Sequence, residues 1–286
     1  MFSSPKKLVN VHKRAYQAGS HLYDVSLSET DPAIEVKGIS FSYGKNPFIE
    51  SLSVSVPRAC VTSIVGPNGC GKSTLLKIVD GILAPQSGEA FIGGTPTSEM
   101  GGKERARHLA LLIQGARPPA MSVEALVSCG RYPYQGHLHQ LTSEDKRCIE
   151  EAMELTDVER FRHHDVRYLS GGERQRAFIA MTLAQDTEII ALDEPTTYLD
   201  VHACHDIMKL VVELNRDAKK TIVMVIHDLD LALRYSDHII VMERGKCLYS
   251  GGVDDVLESK AIDQAFHVEV KKIEVDGKEA YTLFPR

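Results

Sequence analysis

A run of nine residues, GPNGCGKST at positions 66–74, most constrains what this chain can fold into. Glycine adopts backbone conformations that are closed to other residues, so consecutive N–H groups of such a run can converge on phosphate oxygens. The spacing Gly-x₄-Gly-Lys-Ser fits the phosphate-binding loop of nucleoside triphosphatases. Because an apolar segment over residues 61–65 precedes the run, we predict a buried strand, the loop, and a helix over residues 73–83 whose dipole adds to the anion site.

The side chains of this loop have separate expected roles. Lys72 would reach the β- and γ-phosphates of a nucleotide, and the Ser73 hydroxyl would bind Mg²⁺. The other positions of the loop would surround the phosphates, mainly with backbone N–H groups: Gly66, Pro67, Asn68, Gly69, Cys70, Gly71 and Thr74.

Two carboxylates follow a second apolar segment. Residues 189–192 (IIAL) predict a strand buried on both faces. Asp193 and Glu194 come at its carboxyl end, where parallel sheets place their ligands. We expect Asp193 to hold Mg²⁺ and Glu194 to act as general base on the attacking water. The alternative is a core strand that ends in a solvated acidic turn, and the phosphate-binding loop upstream argues against it.

A second anion site is indicated by the residues LSGGE at positions 169–173. The hydroxyl of Ser170 and the small residues Gly171 and Gly172 precede a predicted helix, whose N-terminus favours anions. The chain already has one phosphate-binding loop, so this second element suggests use on a nucleotide held by another copy of the chain. The alternative is a flexible Ser-Gly turn before an ordinary helix.

Together these segments resemble the ATP-binding cassette (ABC) ATPases, and the resemblance covers about residues 33–265. It implies an α/β fold, in which a P-loop NTPase core carries an antiparallel β-subdomain and an inserted α-helical subdomain. It also implies hydrolysis of ATP with Mg²⁺ by a homodimer. Two copies would pair head to tail, and each LSGG element would cap the γ-phosphate held by the other copy.

Four further residues match the same family. Tyr43 would stack on adenine, although a tyrosine in an alternating strand is more often a packing residue. Gln114, at the end of a predicted strand over residues 108–113, would sense Mg²⁺ and water. Asp200 lies in the loop that crosses the dimer interface, and His227 would contact the γ-phosphate and hold Glu194 and the water in place.

Composition narrows the function further. The chain has 286 residues, 43% hydrophobic and 25% charged, which is ordinary for a soluble globular protein. A net charge of −6 argues against general nucleic-acid binding. No apolar run approaches the roughly 18–20 residues that span a bilayer, and no signal peptide is visible. The six cysteines form no CxxC pair, which argues against a disulfide frame or a zinc finger. We expect the chain on the cytoplasmic face of the cell membrane.

The predicted domain organisation has two parts. Residues 1–31 form a polar extension, which is either a disordered tail or a segment that touches anionic lipid or a partner. Residues 32–286 form the ABC ATPase domain. Within it, the helical subdomain covers about residues 115–172, with a loop over 130–136. A C-terminal segment over about residues 253–286 is helical and then stranded, and it carries no recognised chemistry.

The resemblance is strongest to the ATPase subunits of iron-chelate (siderophore), haem and cobalamin importers. It rests on RQRAFIAM at residues 174–181, LDEPTTYLD at 192–200, GRYPY at 130–134 and HDL at 227–229. It implies separate membrane permease subunits and, indirectly, an extracytoplasmic substrate-binding protein. We expect ferric siderophore as the substrate. Haem or cobalamin import is the first alternative, and a soluble ABC ATPase without a transport role is the second. Glu173, where glutamine is usual, and Cys70 depart from the family pattern.

Overall fold

The computed structural model describes residues 31–115, 117–136, 140–275 and 278–285, so nearly all of the predicted polar extension lies outside the described residues. The strands follow in chain order: β1 (Ile34–Phe41), β2 (Ile49–Val56), β3 (Val61–Val65), β4 (Ser87–Ile92), β5 (Thr95–Pro96), β6 (Leu109–Leu112), β7 (Ile189–Asp193), β8 (Thr221–Val225), β9 (His238–Glu243), β10 (Lys246–Gly252), β11 (Val268–Val275) and β12 (Lys278–Pro285). The α-helices are α1 (Lys72–Val79), α2 (Gly102–His108), α3 (Val123–Ser128), α4 (Ser143–Leu155), α5 (Gly171–Ala184), α6 (Val201–Ala218), α7 (Leu229–Tyr235), α8 (Val253–Ser259) and α9 (Ala261–Phe266).

The central sheet has the strand order β10-β9-β3-β8-β7-β6. Its inner strands run parallel, while the edge strand β10 is antiparallel to β9. Every residue of β3, β7 and β8 is buried, as expected for apolar strands that are covered on both faces. The parallel arrangement places the segments after β3, β6, β7 and β8 at one edge of the sheet. This α/β arrangement confirms the predicted fold class.

A second, antiparallel sheet has the order β2-β1-β4-β5. Buried and exposed positions alternate along most of β2, so one face packs inward while the other meets solvent. The inward face shares one hydrophobic cluster with α1 and with one face of the central sheet, including Ile39, Leu75 and Ile240. This shared core fixes the antiparallel sheet beside the helix that follows the glycine-rich loop.

A buried ion pair joins two helical elements of the range predicted as the helical subdomain, and its arginine also contacts α5, which extends beyond that range. The Nε atom of Arg131 donates to Asp145 in α4 over 2.8 Å, and its Nη1 atom donates to the carbonyl oxygen of Ala184 in α5 over 2.8 Å. The guanidinium also lies 4.0 Å from the centre of the Tyr134 ring. Both charged side chains are almost fully buried, at 5% and 4% exposure. The loop predicted over residues 130–136 is instead a 3₁₀ helix over Cys129–Tyr134, and Arg131 anchors it.

Two elements are shorter than predicted. The helix predicted over residues 73–83 ends at Val79, because Gly81 takes a left-handed conformation with φ 69°. The N–H groups of Ile82 and Leu83 then donate back to the carbonyl oxygen of Lys77, a common way to close a helix at glycine. The strand predicted over residues 108–113 begins at Leu109, since the preceding residue completes α2.

The C-terminal segment is helical and then stranded, as predicted. Helices α8 and α9 precede the antiparallel pair β11–β12. Val270 of β11 is buried in the cluster that also contains Leu231 and Leu233 of α7, so the hairpin packs against the body of the protein. Among the described residues, no helix combines the length and the apolar character that a membrane crossing requires.

The buried pair predicts the stability of the Arg131→Gln variant. Breaking it leaves the Asp145 carboxylate buried without its cation, so we expect the free energy of unfolding to fall by about 3 kcal/mol. Urea unfolding followed by circular dichroism measures the change. Arg160→Gln is the matched control, because Arg160 pairs with Asp157 in solvent, at 66% and 69% exposure. Equal shifts in the two variants would contradict a stabilising role for the buried pair.

Candidate functional site

A cavity of about 530 Å³ lies at the carboxyl edge of the central sheet. Its lining comes from the segments that follow β3, β6, β7 and β8, together with one residue that precedes β2: Phe48, Asn68, Gly69, Gly71, Lys72, Ser73, Thr74, Gln114, Glu194, Thr197, Tyr198 and His227. Half of the residues predicted for nucleotide binding, catalysis and metal binding therefore meet around one space. Thr197 and Phe48 are in the lining without having been given a role from sequence.

The glycine-rich loop surrounds a buried ammonium group. The Nζ atom of Lys72 donates to the carbonyl oxygens of Gly66 and Pro67 over 2.8 and 3.0 Å. Within the described ranges, no carboxylate forms an ion pair with Lys72, which is only 5% exposed. In the part of the chain that the structure describes, its charge is met by these two carbonyl groups and, over 3.9 Å, by the Sγ atom of Cys70. A buried, uncompensated cation at the start of α1 makes this loop a strong site for an anion.

The conformation of the loop depends on two of its glycines. Gly71 begins α1 with φ 110°, which a residue with a side chain adopts only under strain. At Gly66, with φ 157°, an added Cβ atom would lie 2.1 Å from the carbonyl oxygen of Met242 in β9. The loop can take this path because no side chain stands between it and the sheet.

An oxygen pair lies where the sequence predicted a metal. The hydroxyl of Ser73 donates to Oδ1 of Asp193 over 2.7 Å, so residues 120 positions apart meet below the cavity. Burial raises the pKa of Asp193, and the hydrogen bond from Ser73 opposes that rise. A hydroxyl and a carboxylate are the hard oxygen ligands that Mg²⁺ prefers, and phosphate oxygens would complete them. The residues present therefore fit the expected ion.

The Glu194 carboxylate is held at both oxygens. The Nε2 atom of His227 lies 2.5 Å from Oε1, while the side-chain amide of Gln114 donates to Oε2. The hydroxyl of Thr197 also donates to Oε2, over 2.9 Å. The backbone of Glu194 has φ 55°, an uncommon value for a residue with a side chain, and only 11% of the side chain is exposed. The turn aims the carboxylate into the cavity, where it can accept a proton from water.

Two aromatic side chains flank the glycine-rich loop. Tyr43 is 62% exposed, and its hydroxyl is hydrogen-bonded to that of Thr74 over 3.0 Å. Its ring meets the rings of Phe41 and Phe48 edge to face, with centroids 4.8 and 5.4 Å apart. Phe48 itself lines the cavity. No sequence pattern pointed to Phe48, because its place depends on the backbone hydrogen bond that it donates to Phe41.

The LSGG element and Asp200 lie outside the cavity lining of their own chain. The hydroxyl of Ser170 donates to the Glu173 carboxylate over 2.7 Å and accepts a hydrogen bond from the Glu173 N–H, which together cap α5. The hydrogen bonds that the hydroxyl and the N–H of Ser170 donate to the carboxylate lower the pKa of Glu173. The side chain of Asp200 caps α6 by accepting from Ala203 N–H over 2.9 Å. Gly171 lies close to Leu199, so the two elements are neighbours.

Cys70 is a buried member of the loop. Its Sγ atom lies 3.9 Å from the Nζ atom of Lys72, yet burial raises the pKa of the thiol above its ordinary value. The thiolate is the reactive form of cysteine, so burial favours the less reactive thiol form of Cys70.

Comparisons with known proteins agree with this arrangement. A family model described as ABC transporter matches residues 49–197. The petrobactin import ATP-binding protein FpuD of Bacillus anthracis is 42% identical over 238 residues, which cover 83% of this chain and 87% of that protein. The ferric enterobactin transport ATP-binding protein FepC of Escherichia coli (strain K12) is 38% identical over 241 residues, covering 84% and 89% of the two chains. The dimeric structure of MJ0796, a bacterial ABC transporter cassette, matches with a TM-score of 0.67 at 28% identity, covering 77% of this chain and 98% of that one.

The close approach at Gly66 predicts the effect of Gly66→Ala. The added methyl group cannot fit beside Met242, so the loop must move, and we expect binding of the fluorescent nucleotide TNP-ATP to weaken about tenfold or more. Fluorescence titration measures this affinity. Gly102→Ala is the control, because Gly102 is in α2 with no atom within 4 Å of the added carbon. Unchanged nucleotide affinity in Gly66→Ala would show that the loop does not need this close approach.

Proposed function

The chain belongs to the ABC transporter family, and from that premise we propose that it is the ATP-hydrolysing subunit of an importer for ferric siderophores. The observation that carries the proposal is the cavity itself, where a buried lysine, an oxygen pair and a restrained glutamate face one space. These are the groups that binding a triphosphate and activating a water molecule require.

Each residue has a proposed part in hydrolysis. Lys72 and the N–H groups of the glycine-rich loop bind the phosphates. Ser73 and Asp193 hold Mg²⁺, which when bound neutralises charge on the phosphate oxygens. Glu194 takes a proton from the attacking water, and His227 keeps the carboxylate and the water aligned.

We propose that Gln114 transmits the binding and loss of ligands in the cavity to the helical range that follows it. It lies directly after β6, and its side chain contacts Glu194, so a change in the ligands of the cavity reaches the start of the helical range 115–172. We propose Tyr43 as the adenine-stacking residue, with Phe48 extending the same aromatic surface. The edge-to-face contact between the two rings supports this pairing.

A second copy of the chain is proposed to complete each site. Ser170, Gly171, Gly172 and Asp200 lie apart from the cavity of their own chain, and a head-to-tail dimer would bring them to the partner's nucleotide. The dimeric cassette to which the chain is similar supports such an assembly. We propose that the dimer works at the cytoplasmic face of the membrane with permease subunits, and indirectly with an extracytoplasmic substrate-binding protein.

The names of the relatives support the substrate. FpuD is named for petrobactin import and FepC for ferric enterobactin transport, so the two names concern different cargo. We therefore propose ferric siderophores as the class, without choosing one chelate. Import of haem or cobalamin is the second candidate, since the same sequence motifs favour it.

The general-base role predicts the behaviour of Glu194→Gln. The amide cannot accept the proton of the water, so we expect ATP turnover to fall by 10²-fold or more, while MgATP still binds and closed dimers accumulate. Steady-state phosphate release and size-exclusion chromatography with MgATP measure the two effects. Glu154→Gln, an exposed position of α4, is the control. An active Glu194→Gln protein would remove the base assignment.

The import role predicts the effect of Lys72→Ala in cells. Cells that carry this variant as their single copy should take up radio-iron-labelled ferric siderophore at the background rate. The reason is that the variant lacks the buried ammonium group that is proposed to bind the phosphates of ATP. Labelled haem and cobalamin are measured in parallel, and Lys146→Ala, an exposed lysine of α4, is the control. Loss of haem or cobalamin uptake alone would favour the second candidate. Unchanged uptake of all three would contradict an import role.

A further inference from the structure

The carboxylate of Glu194 accepts a third hydrogen bond, from a residue to which the family motifs named above give no role. The hydroxyl of Thr197 donates to Oε2 over 2.9 Å, and Thr197 also lines the cavity. The side chain is half-buried, so this hydrogen bond is partly shielded from water. Hydrogen bonds to an ionised group are about twice as strong as those between neutral groups.

The turn after β7 ties this donor rigidly to its acceptor. The N–H of Thr197 donates to the carbonyl oxygen of Glu194 over 3.3 Å, which closes a turn around Pro195. Glu194 enters the turn from the left-handed region, at φ 55°. Threonine is branched at Cβ and has few χ1 positions, so a hydroxyl on this turn has little freedom to move away. The conformation of the turn therefore holds the Thr197 hydroxyl within hydrogen-bonding distance of the Glu194 carboxylate.

The other two donors come from distant parts of the chain. Gln114 follows β6 and His227 follows β8, at sequence separations of 80 and 33 residues from Glu194. In the proposed mechanism, both side chains also contact ligands in the cavity. Gln114 responds to Mg²⁺, and His227 contacts the γ-phosphate. An amide or imidazole that turns toward a ligand loosens its hold on the carboxylate. No ligand contact is proposed for Thr197, so its hydrogen bond to Glu194 can persist when ligands bind.

We propose that Thr197 is a positioning residue, which keeps the Glu194 carboxylate aimed at the attacking water while Gln114 and His227 engage the ligands. The inference rests on the proposed ATP hydrolysis. Holding Oε2 from the turn fixes the rotation of the carboxylate and leaves Oε1, on the His227 side, to accept the proton. Misorientation of a reacting group lowers the rate of the chemical step without weakening the binding of its substrate.

Thr197→Val tests the role with little change in shape, because a methyl group replaces the hydroxyl. We expect kcat for ATP hydrolysis by the purified full-length chain to fall about tenfold, with the Kd for TNP-ATP within about twofold of the unmodified protein. Thr197→Ser restores the hydroxyl and should recover kcat to within about threefold. Thr196→Val is the matched control on the same turn, since among the described residues none is hydrogen-bonded to the Thr196 hydroxyl and the side chain is not in the cavity lining.

Three results would overturn the inference. The first is a kcat of Thr197→Val close to that of the unmodified protein while Glu194→Gln is inactive, which would leave the proposed hydrolysis standing and remove only the role of Thr197. The second is an equal loss in Thr197→Ser or Thr196→Val, which would indicate a structural effect of the turn. The third is full turnover by Glu194→Gln, which would remove the general base itself and, with it, the need to position the carboxylate.

Discussion

The parallel alignment of β3, β8, β7 and β6 is the constraint on which the rest of the site depends. Each of these strands is followed at the same edge of the sheet by a residue of the cavity, and Lys72, Gln114, Glu194 and His227 meet there although they are spread over more than half of the chain. The strands hold this alignment because their side chains are buried on both faces. A shift of one residue would turn every side chain to the opposite face and disrupt the packing of both hydrophobic clusters.

The cavity is assembled around charges that the fold leaves incompletely paired. Lys72 is buried among carbonyl groups, and Asp193 is buried with a raised pKa and a single hydroxyl donor from Ser73. Such groups cost free energy when they are buried without a partner of opposite charge, which a nucleotide and the proposed metal ion would offer to each of them. This complementarity explains why the loop accepts backbone conformations that only glycine tolerates. The protein gives up stability here to hold a site ready for its ligand.

The nucleotide site is also connected to the helical range beyond it. Gln114 lies between β6 and the segment that leads to α3, so one side chain contacts the carboxylate and the chain then enters the helices. Arg131 joins the 3₁₀ helix over Cys129–Tyr134 to α4 and to the C-terminal end of α5. The N-terminal end of α5 begins at the LSGG element, where Ser170 caps it.

The sequence by itself determined the features that depend on neighbouring residues. The glycine-rich loop, the strand before Glu194 and the helix that begins at the LSGG element all follow from local spacing, because backbone geometry and helix capping act over a few positions. Only the tertiary structure decided the rest. Phe48 enters the cavity through strand pairing, and Arg131 reaches the Asp145 carboxylate in another helix. Gln114 and His227 reach Glu194 only because β6 and β8 lie beside β7 in the sheet. These contacts depend on where the chain folds back on itself, and the spacing of residues does not encode that distance.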